Sequence, residues 1–119
     1  MSLSVIDRND VVLRGRVSAP PELRTLPSGD TLLVLKLVVR RDNPRPRGPK
    51  SDVITCVSLL PSVHRYATSW AADDVVEVEG ALQRRFWRTP TGTAVAYEVN
   101  CRRGRRISRA AQRPAPQSA

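Results

Sequence analysis

The chain has 119 residues, enough for one domain with a modest core and too few for two. Its 20 Lys and Arg outweigh 11 Asp and Glu, leaving a formal charge of +9, and eighteen of those cations are arginine, the side chain suited to forked contacts with phosphate and to stacking on flat rings. This balance favours a polyanion, nucleic acid before an anionic membrane surface; no apolar run approaches the roughly 20 residues of a spanning helix, and two cysteines with one histidine cannot form a conventional zinc site.

The opening stretch, MSLSVIDRND, lacks the basic-then-apolar layout of a secretory signal, so a cytoplasmic, nucleoid-associated protein is expected. Cys56 and Cys101 lie in apolar, strand-like stretches and read as small buried hydrophobes in a reducing compartment. Residues 11–17, VVLRGRV, predict the first strand, with Val11, Leu13, Gly15 and Val17 on one face and Arg14 and Arg16 on the other. The following APPEL and TLPSGD supply turn chemistry. Residues 31–40, TLLVLKLVVR, predict a second strand with Leu33, Leu35, Leu37 and Val39 inward and Lys36 and Arg40 on the opposite face. The stretch DNPRPRGPK contains three prolines and a glycine that break both helix and strand, which makes Arg45, Arg47 and Lys50 parts of a basic loop.

Residues 51–60 predict a third strand, after which the period changes. Val63, Tyr66, Ala67 and Trp70 fall at helical spacing behind Pro61, so Trp70 reads as core, and His64, off that face, as a solvated surface residue. VVEVEGALQRRFW is a long fourth strand, RTPTG a turn, and TAVAYEVNC a fifth strand with Val95, Tyr97, Val99 and Cys101 on one side. The arginine-rich remainder, residues 102–119, carries no acid and is expected to be a disordered basic tail, leaving residues 1–101 as the domain. Three strands, a helix and two strands match an all-β architecture, the five-stranded oligonucleotide/oligosaccharide-binding (OB) barrel with one short helix between strands 3 and 4. Gly15 and Gly80 suit the sharp bends of so small a barrel.

Three motifs in order, NDVVLRGRV, PPELRTLPSG and VVEVEGALQRRFW, resemble the bacterial single-stranded DNA-binding proteins over about residues 9–99. The resemblance implies sequence-tolerant binding of single-stranded DNA in replication, recombination or repair, and a homo-oligomer, a tetramer or a dimer. It places Trp87 where the family has a base-stacking ring, on the hairpin reaching along the DNA, with Arg85 on the same side and Arg84, Phe86 and Arg88 on the other. Lys36, Arg40, Arg41 and Arg24, with Arg45, Arg47 and Lys50 of the loop, are expected to contact phosphate. Two departures stand out: the family's other stacking rings fall near Asn43, Val53 and Leu59, none of which can stack, and the end, RPAPQSA, lacks the family's acidic tip. The chain thus looks like a divergent or auxiliary member.

Other readings stay open beside this one. They are a primosomal restart-type protein built on a similar barrel, an RNA-binding module using the same face, and a protein-interaction scaffold. A nuclease would need converging carboxylates around a metal ion, and Glu77, Glu79 and Glu98 form no such set. No catalytic residues, cofactor, metal or small-molecule substrate are therefore expected.

Overall fold

Apolar residues recurring at every second position give the strands Val11–Val17, Thr31–Arg40 and Val75–Thr89 an inward face, and these faces meet in a single core. The computed structural model describes residues 6–110. In chain order the elements are β1 (Val11–Val17), β2 (Glu22–Thr25), β3 (Thr31–Arg40), β4 (Ser51–Ser58), α1 (Pro61–Ala67), β5 (Val75–Thr89) and β6 (Gly92–Ser108). Hydrogen-bonded neighbours run β1-β5-β6-β4-β3, and β3 returns to β1 through Arg16↔Val38 and Val17↔Leu37. The result is a closed five-stranded barrel with its helix between the third and fourth barrel strands, the expected OB architecture. Every pairing is antiparallel except the short β4–β6 seam at Cys56↔Val99 and Val57↔Asn100.

β2 stands outside this ring. It pairs with the start of β3 through Leu23↔Leu33 and Thr25↔Thr31, in a segment whose sequence reads as turns alone. All four of its residues are exposed, so no burial pattern imposes the apolar–polar alternation that betrays a strand. The turn between them is closed by Leu26 N–H donating to Asp30 O at 2.8 Å and Gly29 N–H donating to Leu26 O at 2.8 Å.

The core joins Val17 of β1, Leu33, Leu35 and Leu37 of β3, Val76 and Val78 of β5 and Val99 of β6. Burying each such side chain fully contributes roughly 1.5–3 kcal/mol. α1 plugs one end with Val63 and Ala67, and Trp70 follows it into the core at 4 % exposure, as its spacing predicts. The Tyr66 ring packs on Trp70 with centroids 5.8 Å apart, and its hydroxyl accepts a 2.8 Å hydrogen bond from Gly104 N–H, tying the helix to β6. His64 is half-buried rather than solvated: its Nε2 lies 2.7 Å from Ser58 O, an acceptor, so that nitrogen carries the proton. Gly15 and Gly80 sit where strands cross most closely. A Cβ at Gly15 would press on the Val38 carbonyl, and one at Gly80 would overlap that of Asn100.

β6 continues to Ser108, seven residues beyond the boundary expected at Cys101, so residues 102–108 are strand rather than tail. A bulge opposite Glu79–Gly80 shifts the register there, and β6 then follows β5 as far as Val75↔Ser108. Acids on β5 and its surroundings neutralise the arginines that made this stretch look unstructured. Arg103 pairs with Glu79 at 2.7 Å, Arg105 with Glu77 at 3.3 Å, Arg106 with Asp74 at 3.4 Å and Arg102 with Asp10 at 3.5 Å. The rest of the expected tail, residues 111–119, lies outside the described residues.

Candidate nucleic-acid interface

The pleat that turns Leu33, Leu35 and Leu37 into the core turns Val34, Lys36, Val38 and Arg40 outward. β4 aligns with them through Val34↔Val57, Lys36↔Thr55 and Val38↔Val53. On this surface a groove of about 330 Å3 is floored by Leu32, Val34, Lys36, Thr55 and Val57. Arg24 and Leu26 line it from the side of β2, and Arg85 and Glu98 from the base of the β5–β6 hairpin. A second depression, of about 250 Å3, shares Arg24, Val34 and Lys36 with it, and a third, also about 250 Å3, is lined by Arg14, Arg16, Val38 and Arg40 across the β1–β3 seam. A band of cations thus follows the outside of β3 from the hairpin to β1.

Which of these cations are available depends on their partners. Among the described residues, all but Asp7, Asp30 and Asp42 of the eleven acids already hold an arginine. Among the described residues, Lys36, Arg40, Arg45, Arg47, Arg84 and Arg88 have no ion-pair partner. Arg24 is held by Glu22 at 3.1 Å and Arg85 by the buried Glu98 at 3.3 Å, which also accepts from Gln83 Nε2 at 3.2 Å. Arg41, expected as a phosphate contact, makes a forked pair with Asp52 at 2.7 and 2.9 Å. That hydrogen bonding raises the Arg41 pKa above the ordinary guanidinium value and holds the Asp52 carboxyl below the usual carboxylate value. With Arg41 N–H donating to Lys50 O at 2.8 Å, the pair fastens the base of the basic loop and presents Arg45 and Arg47 at its tip. Lys50 itself reaches back to Pro46 O at 3.5 Å.

Beyond Leu82 and Val99 the β5–β6 pair leaves the barrel as a free two-stranded ribbon. On the side facing the groove, the Arg85 guanidinium lies over the Trp87 ring, 4.6 Å from its centroid. On the opposite side Arg84 lies over Phe86 at 4.7 Å, and Tyr97 sits directly across from Arg84. The expected division of these side chains between two faces is what the structure has. Trp87 is 41 % and Phe86 54 % exposed. Tyr97, at 62 %, is the ring that sequence reasoning missed. Its parity with Val99 and Cys101 marks it as inward, which is correct for the strand's pleat, but at that height the barrel has ended and the inward side is open. Val53 and Leu59, which stand near the places of the missing stacking rings, are exposed but aliphatic.

The acids form no reactive cluster. Glu77 lies between Arg14 and Arg105, and hydrogen bonding to Arg14, then to Arg105, holds its carboxyl below the ordinary glutamate value. Among the described residues no group of three or more His, Cys, Asp or Glu converges as a metal site would require. Cys56 and Cys101 are free, buried and adjacent; the hydrogen-bonding contact with Cys101, reinforced by burial, raises the Cys56 pKa and keeps it a thiol. No described helix is long and apolar enough to cross a membrane.

A model of the single-strand binding protein family matches residues 8–107. Single-stranded DNA-binding protein 1 of Staphylococcus aureus (strain COL) is 33% identical over 95 residues, which cover 78% of this chain and 57% of that protein. Single-stranded DNA-binding protein A of Bacillus subtilis (strain 168) is 32% identical over 88 residues, 73% of this chain and 51% of that one. The chain therefore spans a little over half the length of these relatives. Among solved structures, the Plasmodium falciparum SSB complex with ssDNA shares the fold with a TM-score of 0.70 at 21% identity, covering 86% of this chain and 95% of the other.

Proposed function

The chain belongs to the single-strand binding protein family, and on that premise we propose that it binds single-stranded DNA along the outer face of β3 and β4, without catalysing a reaction. The observation that carries this reading is Trp87. A large ring stands half-exposed on the hairpin, stacked against Arg85, and Arg85 lines a groove whose floor holds Lys36, a cation with no ion-pair partner among the described residues. A base laid on that ring contributes roughly 1–3 kcal/mol and is accepted whatever its identity, because every base has a flat face. Lys36 and Arg40 hold the backbone along β3, and Arg45, Arg47 and Lys50 reach it from the loop. Arg24 and Arg85 exchange their carboxylate partners for phosphate, while Arg41 positions the loop. With an amide and two aliphatic side chains near the places of three rings, each nucleotide is gripped less by stacking and more by charge, so affinity falls steeply with salt.

Over Val11–Arg14, the edge of β1 that faces away from β5 has no strand partner among the described residues, since β1 meets β3 only at Arg16 and Val17. We place self-association there, as a dimer or a tetramer. The buried thiols fit a reducing cytoplasm, where the protein would protect exposed strands during replication, recombination or repair.

The test is intrinsic tryptophan fluorescence, titrated with a thymine oligonucleotide and with a duplex at several salt concentrations. Quenching by the single strand is expected, weaker with duplex and lost in Trp87→Phe, with the buried Trp70 as a constant background. Equal, purely salt-driven binding of both nucleic acids would overturn the single-strand reading.

A further inference from the structure

The β5–β6 hairpin has a second side that the groove does not use. The register places Leu82, Arg84, Phe86 and Arg88 of β5 on one face with Val95 and Tyr97 of β6. Below Leu82 this face is the barrel core; above it, none of the described residues covers it, and Phe86, Val95 and Tyr97 stay exposed. An isolated two-stranded ribbon is marginal in water, and one that also exposes a contiguous set of large apolar side chains is built to meet something.

Resting on the reading of the chain as a single-strand binder, we propose that this face is a second single-strand track, with Phe86 and Tyr97 as base-stacking platforms and Arg84 and Arg88 holding phosphate. The face carries rings and guanidinium groups and no acid. Arg84 already lies over the Phe86 ring, 4.7 Å from its centroid, an arrangement a base would extend on the side of Tyr97, whose phenol adds a hydrogen-bonding group at the edge. Neither Arg84 nor Arg88 has an ion-pair partner among the described residues.

A second copy of the chain suits the face poorly. A symmetric contact would bring the arginines of both copies together, and an asymmetric one would find, among the described residues, only Asp7, Asp30 and Asp42 without an ion-pair partner. A phosphate backbone brings its own negative charge. A duplex keeps its bases stacked and offers the rings no flat faces, so the ligand is a single strand. One strand leaving Trp87 can round the Pro90–Thr91 turn and continue on Tyr97, so the hairpin is gripped from both sides. The two rings on this side then take over part of the stacking that Asn43, Val53 and Leu59 cannot provide.

Two measurements on the full chain test this. In a Trp87→Phe background, Tyr97→Trp places a reporter on the second face, while binding itself is followed by the anisotropy of a labelled thymine oligonucleotide of about 40 nucleotides, well beyond the 4–16 that one such barrel typically covers. Quenching of the new reporter on binding is expected. Phe86→Ser combined with Tyr97→Ser should lower affinity for the long strand roughly tenfold or more, with the Trp87 quench retained. A long strand that binds without quenching the reporter, and with unchanged affinity for the double variant, overturns the second track and leaves the groove reading standing. Loss of self-association in the double variant, seen by sedimentation with DNA affinity unchanged, would instead make the face a contact between copies and also overturn it. If the parent protein shows no anisotropy change, the single-strand reading itself fails.

Discussion

β5 and β6 run side by side for their whole length, yet the two halves of the pair do opposite things with arginine. In the barrel half, every charge is answered across the strands: Glu77 by Arg14 and Arg105, Glu79 by Arg103, Asp74 by Arg106. Beneath them Val76 and Val78 are fully packed. In the hairpin half, Arg84 and Arg88 face no acid, and the rings between them face water. The same side chain is an internal cross-link where a carboxylate stands opposite and a ligand for an outside anion where none does. Composition therefore says that a chain favours polyanions, but the register says which arginines remain to bind one.

The comparison can be broken most severely at Gly80, where the barrel closes. Gly80→Val should destabilise the protein by about 3 kcal/mol, because the added carbons collide with the Asn100 carbonyl, a backbone atom that cannot swing away. A melting temperature close to that of the parent would mean the seam is looser than the structure has it. In the hairpin the effect should move from stability to binding. Trp87→Ala should lower single-strand affinity by about 1–3 kcal/mol, measured by oligonucleotide titration, with the melting temperature unchanged.

Salt dependence sharpens the contrast further. Arg88→Gln should flatten the slope of log affinity against log salt by about 0.7, the value for one phosphate contact on a single strand. Arg103→Gln, which removes a cation already spent on Glu79, should leave the slope alone and cost a little stability instead. Equal slopes for the two variants would erase the distinction between the halves.

The smallest effect is a response to acid in the barrel half. Hydrogen bonding to Arg14 and Arg105 lowers the Glu77 pKa below its ordinary 4.5. The Ala71 N–H, helped by the Ala110 N–H and Arg106, does the same to Asp74 against its ordinary 3.8. A depressed folded-state pKa gives stability that is complete above the unfolded value and is lost as pH falls through the folded one. Thermal melts should be flat from neutral pH down to about pH 5, then decline below 4.5, with a shallower decline in Asp74→Asn. A decline beginning above pH 6 would point to a different group.

Much of this was legible in the residues. The alternation in β1, β3 and β5 marked their inward faces, and the helical spacing of Val63, Ala67 and Trp70 separated a core tryptophan from the surface one at Trp87. What escaped did so for identifiable reasons. β2 buries none of its residues and so carries no pattern. The last seven residues of β6 are dominated by arginines whose partners lie elsewhere in the chain, Arg105 standing 28 positions after Glu77. His64 is tied down by a backbone carbonyl, an acceptor that no side-chain pattern reveals.

Tyr97 marks the boundary between the two kinds of knowledge. By itself the sequence determined which residues alternate, where the chain turns, and that its charge seeks an anion, because these depend on neighbours a few positions away. Only the tertiary structure decided how far the barrel reaches along each strand, and so whether an inward-pointing ring meets core or open solvent. It also decided which arginines meet acids. Both depend on the register between strands distant in sequence, where a shift of one residue would exchange every partner.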